Sequence, residues 1–180
     1  MRNMKKHIGI HNRKILSKLT EDESVKKMCN CRKPEDCPVE GRCLEESVTY
    51  EADVLSKHGK MTYFGMTERT FKQRYTEHKQ SLPSTTSKMD PLERKAKYEH
   101  KSTLSAYCWK LFTEGTEYRI KWRINSKAYA YQNGARRCDL CIQEKLLIGL
   151  ADPKTTLNSR NELTSKCRHK WKYTLSHCAG

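Results

Sequence analysis

The chain has no hydrophobic run that approaches the length of a membrane-spanning helix, which needs about 20 consecutive apolar residues. Its first seven residues lack the apolar core of a secretory signal. It also lacks a basic amphipathic helix with a large apolar face, the usual feature of proteins that lie on membranes. These absences argue against a membrane partner and predict a reducing compartment.

Apolar side chains for a core are also scarce. A chain of 180 residues is expected to form one compact domain of about 150 residues. A hydrophobic fraction of 36% makes the core of that domain thin, so some other interaction must help to hold the fold. The chain shows no acidic polymerase signature, and we expect no polymerase domain beside such a core.

Acidic residues are outnumbered by basic ones. The chain has 36 Lys and Arg against 21 Asp and Glu, a formal net charge of +15. This excess is typical of a protein that approaches a polyanion such as DNA. Residues 118–124 alternate apolar with basic side chains, which predicts a half-buried strand. The cations on its exposed side are candidate DNA contacts: Arg119, Lys121 and Arg123.

Two short β-prone segments carry the most informative pattern. They are Val48-Thr49-Tyr50 and Tyr63-Phe64-Gly65, with Gly59-Lys60 between them to supply a turn. Together they predict a β-hairpin. The plainer alternative is that both tyrosines are only half-buried strand aromatics.

A helix is predicted directly after the hairpin. Residues 68–80 contain no proline or glycine, and Thr67 can cap the first turn. One face of this helix carries an arginine and a histidine among aromatics, where an ordinary amphipathic helix would carry leucine and valine. The residues of that face are Phe71, Arg74, Tyr75 and His78.

A later helix is predicted over residues 138–150 and contains one carboxylate on an apolar face. The neighbours of Glu144 at i−4, i−3, i+3 and i+4 are Leu140, Cys141, Leu147 and Ile148. A buried unpaired carboxylate costs on the order of several kcal/mol unless a metal or a cation compensates it. Glu144 is therefore a candidate ligand for a divalent metal, and an ion pair with Arg74 is the alternative.

Nine cysteines are many for a reducing compartment, and their odd number argues against a closed disulfide framework. One set lies among prolines and a glycine: Cys29, Cys31, Cys37 and Cys43. A second set joins a C-x-x-C pair to two late donors: Cys138, Cys141, Cys167 and His169. Such sets favour structural Zn²⁺, with unmetallated thiols as the alternative. Cys108 is expected in the core.

The grouping of these ligands stays open. The spacing of Cys29 and Cys31 is tighter than the usual two-residue gap, so the two need not share a metal. Ligands of the two sets could also combine, and His177 and Cys178 are spare donors.

The hairpin and its helix resemble the GIY-YIG nuclease superfamily, whose two short motifs lie on adjacent strands before a helix with an arginine and, four residues on, a histidine or similar group. Here the motifs read VTY and YFG. The matching residues are Tyr50, Tyr63, Gly65, Arg74 and His78. The resemblance implies a later metal carboxylate, which Glu144 matches, and a late asparagine, which Asn158 matches.

Within that superfamily the chain is most similar to the endonuclease domain of Penelope-like retrotransposons. The similar segments are residues 11–16, 29–32, 37–43, 102–109, 120–122, 138–145 and 167–169. In that family the HNRKIL-like segment lies between a reverse transcriptase and the nuclease. The resemblance therefore implies a reverse transcriptase domain in the same parent polypeptide and element RNA as partners. A Cys-Cys-His-His zinc element in that family would favour a mixed zinc site.

The resemblance also implies a function. The chain would be a DNA endonuclease that holds Mg²⁺ or Mn²⁺ on Glu144 and nicks double-stranded DNA to prime retroelement insertion in the nucleus. Arg74 suits the developing phosphorane charge, Tyr63 would position water or phosphate, and either Tyr50 or His78 would take the proton. Two other functions stay open: a structure-selective repair or resolvase nuclease of the same superfamily, and a catalytically silent, zinc-stabilised DNA-binding module.

The expected fold is α/β: a small GIY-YIG-type core with a short mixed three-stranded β-sheet flanked by helices, plus Cys-rich zinc-binding elements. Residues 1–28 would form a basic arm, residues 29–46 a zinc knuckle, and residues 47–180 the nuclease core with a C-terminal Cys/His element. Residues 83–100 are expected to be a long loop that borders the substrate. Ser102 should then cap a helix that Gly115 ends.

Overall fold

A computed structural model describes residues 28–84, 89–129, 137–167 and 169. The predicted basic arm, except for Met28, and the spare donors His177 and Cys178 lie outside these residues. Within the described part of the chain, no helix has the length and apolar character needed to cross a bilayer.

Three antiparallel strands form one sheet. β1 (Val48–Ser56) and β2 (Gly59–Thr67) form the predicted hairpin, and β3 (Tyr118–Lys127) pairs with the other side of β1. The strand order is β2-β1-β3. The predicted mixed sheet is wrong: β2 and β3 run in the same direction, but β1 lies between them, so every neighbouring pair is antiparallel.

The hairpin turn lies slightly earlier than predicted. Ser56 pairs with Gly59, so Lys57 and His58 form the loop and Gly59 is the first residue of β2. Gly59 has a φ of +105°, a backbone conformation that glycine adopts more readily than residues with a side chain. Its role is to let the chain re-enter the sheet.

The helix after the hairpin, α1 (Phe71–Ser81), begins three residues later than predicted. Thr70, and not Thr67, is its N-cap, and the Thr70 side chain accepts a hydrogen bond from the backbone of Gln73. Thr67 remains in β2, where it pairs with Val48. Tertiary strand pairing has overridden the local capping signal.

The predicted loop over residues 83–100 is wrong in its second half. Residues 91–98 form α2 (Pro91–Tyr98), which continues into a 3-10 turn (Glu99–Lys101). Asp90 caps α2 by accepting hydrogen bonds from two backbone N–H groups of its first turn, at 2.9 and 3.3 Å. No residue of α2 is buried, so this helix adds no side chain to the core.

The two remaining helices are confirmed. α3 (Thr103–Thr113) begins with a capping box at Ser102, and Gly115 follows its end with a φ of +65°. α4 (Asp139–Leu150) begins directly after Cys138, as the C-x-x-C spacing predicted.

One apolar cluster joins the cysteine-rich segment to the sheet and helices. The segment contributes Cys37, Val39 and Cys43, which belong to the same buried cluster as the central strand. Cys108 is buried there, as predicted. The other buried members are Val48, Tyr50, Ala52, Val54, Tyr63, Phe71, Leu104, Leu111 and Ile124.

Candidate functional site

Tyr50 lies at the centre of the site. It is on β1 with no exposed surface, and two side chains of α1 contact its hydroxyl. Arg74 Nε donates to Tyr50 Oη at 3.0 Å, and Tyr50 Oη shares a hydrogen bond of 2.7 Å with His78 Nε2. Residues four apart on a helix lie on the same face, which is why Arg74 and His78 meet one phenol. The predicted hairpin and helix residues are therefore brought together.

Gly65 allows Tyr50 to occupy this position. The two residues pair across β1 and β2. A Cβ atom on Gly65 would lie 2.5 Å from Tyr50 Oη and 2.6 Å from Tyr50 Cζ. The backbone of β2 at Gly65 thus packs directly against the phenol ring of Tyr50. A residue with a side chain at position 65 would displace that ring.

The protonation of the site follows from its burial. Burial, reinforced by the Arg74 charge, lowers the pKa of His78 to about 3, so the imidazole is neutral at neutral pH. Burial also raises the pKa of Tyr50 above its ordinary value. Arg74 reaches solvent, with 30% of its side chain exposed, and its Nη1 donates to Glu77 at 3.0 Å. Arg74 is thus the cation best placed to meet an anionic ligand.

Tyr63 and Glu144 complete the constellation. Tyr63 is buried on β2, and its ring centroid lies 5.7 Å from that of His78. Burial is the main cause that raises the pKa of Tyr63, and the Glu144 carboxylate raises the pKa of both Tyr50 and Tyr63. The Glu144 carboxylate on α4 therefore acts electrostatically on both site tyrosines. The apolar neighbours of Glu144 suggested full burial, but the residue is only half-buried. Its carboxylate therefore loses less contact with water than expected.

Asn158 holds the outer edge of β2. Its Oδ1 accepts from the backbone N–H of Phe64 at 2.7 Å, and its Nδ2 donates to the carbonyl of Phe64 at 3.0 Å. The amide thus imitates a neighbouring strand. Because Tyr63 and Gly65 flank Phe64, this pairing positions both β2 site residues.

Glu162 is a residue near the site that the sequence interpretation missed. Its Oε2 accepts from Asn158 Nδ2 at 3.1 Å, and its Oε1 accepts from the backbone of Ser159 at 3.0 Å. The spacing Ser159-x-x-Glu162 is a capping box and could have revealed it. Glu162 fixes the Asn158 amide.

The first cysteine set forms a compact group of four thiols. The metal-binding atoms of Cys29, Cys31, Cys37 and Cys43 lie within 4.8 Å of one another. Cys31 and Cys43 Sγ are 3.7 Å apart, and Cys29 and Cys43 Sγ are 3.5 Å apart. Ligands of a tetrahedral zinc site with Zn–S bonds of about 2.3 Å lie about 3.8 Å apart. The set fits a metal such as zinc, and the tight Cys29-x-Cys31 spacing does not separate its members.

The second set is Cys138, Cys141, Cys167 and His169, again within 4.8 Å. His169 Nδ1 lies 3.3 Å from the Sγ atoms of Cys138 and Cys141. The other ring nitrogen of His169 lies 3.4 Å from Glu68 Oε1, as is common for histidines that bind zinc. The two predicted sets are thus separate and could each hold a metal such as zinc, and the mixed site is not formed.

Each cysteine set lies at the beginning of a helix that carries a site residue. The carbonyl of Cys43 accepts from the Lys72 backbone at 2.7 Å, and the carbonyl of Glu45 accepts from the Phe71 backbone at 2.9 Å. These bonds satisfy N–H groups that the first turn of α1 leaves unpaired. Cys138 is the N-cap of α4. The first set therefore supports Arg74 and His78, and the second supports Glu144.

Glu144 belongs to neither cysteine set. Among the described residues, the only groups of three or more potential ligands are the two cysteine sets. Glu144 offers one carboxylate, so it provides fewer ligand groups than either cysteine set.

The predicted DNA contacts on β3 lie away from this site. Trp122 packs against the Tyr50 ring, with ring centroids 6.0 Å apart, so alternate residues of β3 point to the opposite face. Arg119 and Lys121 are exposed on that opposite face. Arg123 lies there too and forms an ion pair with Glu51. The structure does not bring these cations together with Arg74.

Comparisons of the chain with protein-family models, with curated proteins and with solved structures find no match. The resemblance to GIY-YIG nucleases therefore depends on the residues of this chain and their arrangement.

Proposed function

We propose that this protein is a divalent-metal-dependent DNA endonuclease that nicks one strand, in the service of retroelement insertion in the nucleus. The strongest support for this proposal is that side chains from separate elements come together. Four elements, β1, β2, α1 and α4, bring Tyr50, Tyr63, Arg74, His78 and Glu144 to one place. A cation, a neutral imidazole and a carboxylate are the groups that phosphodiester hydrolysis needs.

Access to solvent suggests how these groups divide the work. Glu144 would hold Mg²⁺ or Mn²⁺, which supplies Lewis-acid polarisation of the phosphate and stabilises the leaving oxygen. Arg74 is partly exposed and would bind the phosphate oxygens as charge develops. Tyr50 is fully buried behind Arg74, so it acts by positioning the guanidinium.

His78 is the better candidate for the general base. It is neutral at neutral pH, whereas the raised pKa of Tyr50 disfavours a phenolate. A pKa of about 3 makes His78 a weak base in the free protein. The negative charge of a bound phosphate would offset the charge of Arg74 and raise the basicity of His78 when substrate is present.

The decisive experiment is a plasmid nicking assay with Mg²⁺. Glu144→Ala and Arg74→Ala should each lose a hundredfold or more in rate, on the order of 3 kcal/mol of transition-state stabilisation. Glu117→Ala, which removes an exposed carboxylate elsewhere, is the matched control and should nick normally. Affinity for DNA should change little in Glu144→Ala. Retained nicking by folded Glu144→Ala would refute the proposed site.

The cysteine sets are proposed to hold two structural zinc ions, separate from the catalytic metal. Sulfur-rich sets suit a closed tetrahedral zinc site, whereas a single carboxylate suits an open site for Mg²⁺. EDTA at low concentration should therefore stop nicking before the fold is lost, and added Mg²⁺ should restore it. A folded, zinc-loaded chain that binds DNA and never nicks it would instead be a binding module.

A further inference from the structure

A cavity of about 290 Å³ lies beside the candidate site, between α1 and the segment that joins α2 to α3. Arg74 and His78 line one wall, and Tyr98 and Lys101 line the other. Because Arg74 and His78 also contact Tyr50, the cavity and the candidate site share two side chains. A ligand in the cavity would lie directly next to the reacting phosphate.

The walls of the cavity are tied together by hydrogen bonds to the end of α1. Arg94 Nη2 donates to the carbonyls of Gln80 and Leu82 at 2.8 and 3.1 Å. Trp109 Nε1 donates to the carbonyl of Ser81 at 3.0 Å. These are carbonyls that a helix end leaves unpaired, and here α2 and α3 bind them. The shape of the cavity is therefore set by the fold.

The backbone around Lys101 is also fixed by hydrogen bonds. The buried Ser105 hydroxyl donates to the carbonyl of Glu99 at 3.2 Å and accepts from the backbone N–H of Ser102 at 3.0 Å. Lys101 lies between these two anchors with an exposed side chain. It takes part in none of the ion pairs formed among the described residues. The backbone that carries this ammonium group is thus held in place beside the cavity.

The charge of the cavity favours an anion. Glu77 is the one carboxylate among the residues that line it. That carboxylate is bound by both Arg74 and Arg69, so its charge is offset locally. Lys101 then adds a positive charge opposite Arg74.

We propose that Lys101 binds a DNA backbone phosphate adjacent to the one at Arg74, so that the cavity holds the nucleotide that flanks the scissile bond. A volume near the lower limit of ligand pockets, about 300 Å³, suits one nucleotide unit. A lysine ammonium binds phosphate as a point charge. This inference rests on the proposed endonuclease function and adds a substrate-binding residue to it.

The test compares Lys101→Ala with Lys97→Ala. Lys97 is an exposed lysine on the neighbouring α2, where it lies 5.4 Å from the Tyr98 ring centroid without lining the cavity. Binding of a fluorescent DNA duplex is measured by anisotropy over a series of salt concentrations, without divalent metal so that no cleavage occurs. Lys101→Ala should weaken binding about three- to tenfold at low salt and lower the salt slope by about one. Lys101→Arg should restore both.

Equal losses in Lys101→Ala and Lys97→Ala would overturn the proposal, because they would show only general surface charge. Unchanged affinity and salt slope in Lys101→Ala would also overturn it. In the nicking assay, Lys101→Ala should raise KM more than it lowers kcat. A failure of the endonuclease function is distinct, since it would appear as absent nicking by the unmodified protein, whereas the binding comparison needs no cleavage.

Discussion

Gly65→Ala adds a single methyl group, and the structure predicts that this small change lowers both stability and nicking. The added Cβ would lie 2.5 Å from Tyr50 Oη, and opening that gap to an ordinary contact of 3.4 Å requires a shift of about 0.9 Å. Tyr50 cannot move freely because its ring is fully buried and packs edge-on against Phe71, with ring centroids 5.3 Å apart. Overpacking of this kind costs about 1–3 kcal/mol.

The functional loss should exceed the loss of stability. A shift of about 0.9 Å would stretch hydrogen bonds that now measure 2.7 Å to His78 and 3.0 Å to Arg74, beyond the range of normal bonds. A misplacement of about 1 Å in a catalytic group can lower a rate about a hundredfold. The melting temperature should fall by about 2–4 °C per kcal/mol for a chain of this size, and a thermal melt of the variant shows whether it is folded at the temperature of the nicking assay.

The matched control for this substitution is Gly149→Ala. Gly149 lies in α4, and the nearest atom to its added Cβ would be Leu163 Cδ2 at 3.9 Å, so alanine should raise stability by up to about 1 kcal/mol. In a double-mutant cycle, Gly65→Ala and Tyr50→Leu should be less than additive, since the smaller side chain relieves the clash. A Gly65→Ala protein as stable and active as the unmodified protein would refute the reasoning.

Three further predictions follow from metals, salt and pH. Protein purified without added metal should contain two zinc ions per chain by elemental analysis. Cys141→Ser should lower both the zinc content and the nicking rate, whereas Cys108→Ser should only alter packing in the core. A folded, active protein without zinc would contradict this prediction. Affinity for DNA should fall steeply between low and physiological salt. Lys121→Ala should leave the kcat of nicking unchanged, because the Lys121 side chain faces away from Tyr50. An affinity that does not depend on salt would contradict binding through a basic surface. Burial keeps His78 neutral in the folded protein, whereas the same imidazole in the unfolded chain is protonated as the pH falls below about 6.5. Between pH 6.5 and 3 the free energy of unfolding should therefore fall by about 1.4 kcal/mol per pH unit more steeply than in His78→Gln. Parallel pH profiles of the two proteins would argue against a buried neutral imidazole.

The parts of the fold that the sequence predicted are those with strong local signals. The alternation of β3 and the spacing of Arg74 and His78 each report one face of one element. The sequence indicated two cysteine sets but left their grouping open, and the structure forms both sets separately. The local signal was the C-x-x-C spacing, which places Cys138 and Cys141 about one helical turn apart. In each case the neighbours along the chain carry the information.

The parts that were missed depend on tertiary contacts. The position of β1 between β2 and β3 makes the sheet antiparallel, and no local pattern states which strands are neighbours. α2 has no buried residue, so only the cap signal of Asp90 followed by Pro91 marks its beginning. The cations of β3 were recognised as exposed, but that they lie on the face of the sheet opposite to Tyr50 depends on how the strands pair.

The cysteine sets explain how a thin core can hold a site built from remote segments. Arg74 and His78 depend on α1, whose first turn is held by the Cys43 carbonyl, whereas Glu144 depends on α4, which begins at Cys138. The two halves of the site are therefore stabilised by different cysteine sets. If each set holds zinc as proposed, loss of zinc from the first set should displace the residues that bind Tyr50, and loss of zinc from the second should displace the carboxylate. If the chain hydrolyses DNA as proposed, the reaction needs both halves of the site, so the loss of either cysteine set should be enough to stop nicking.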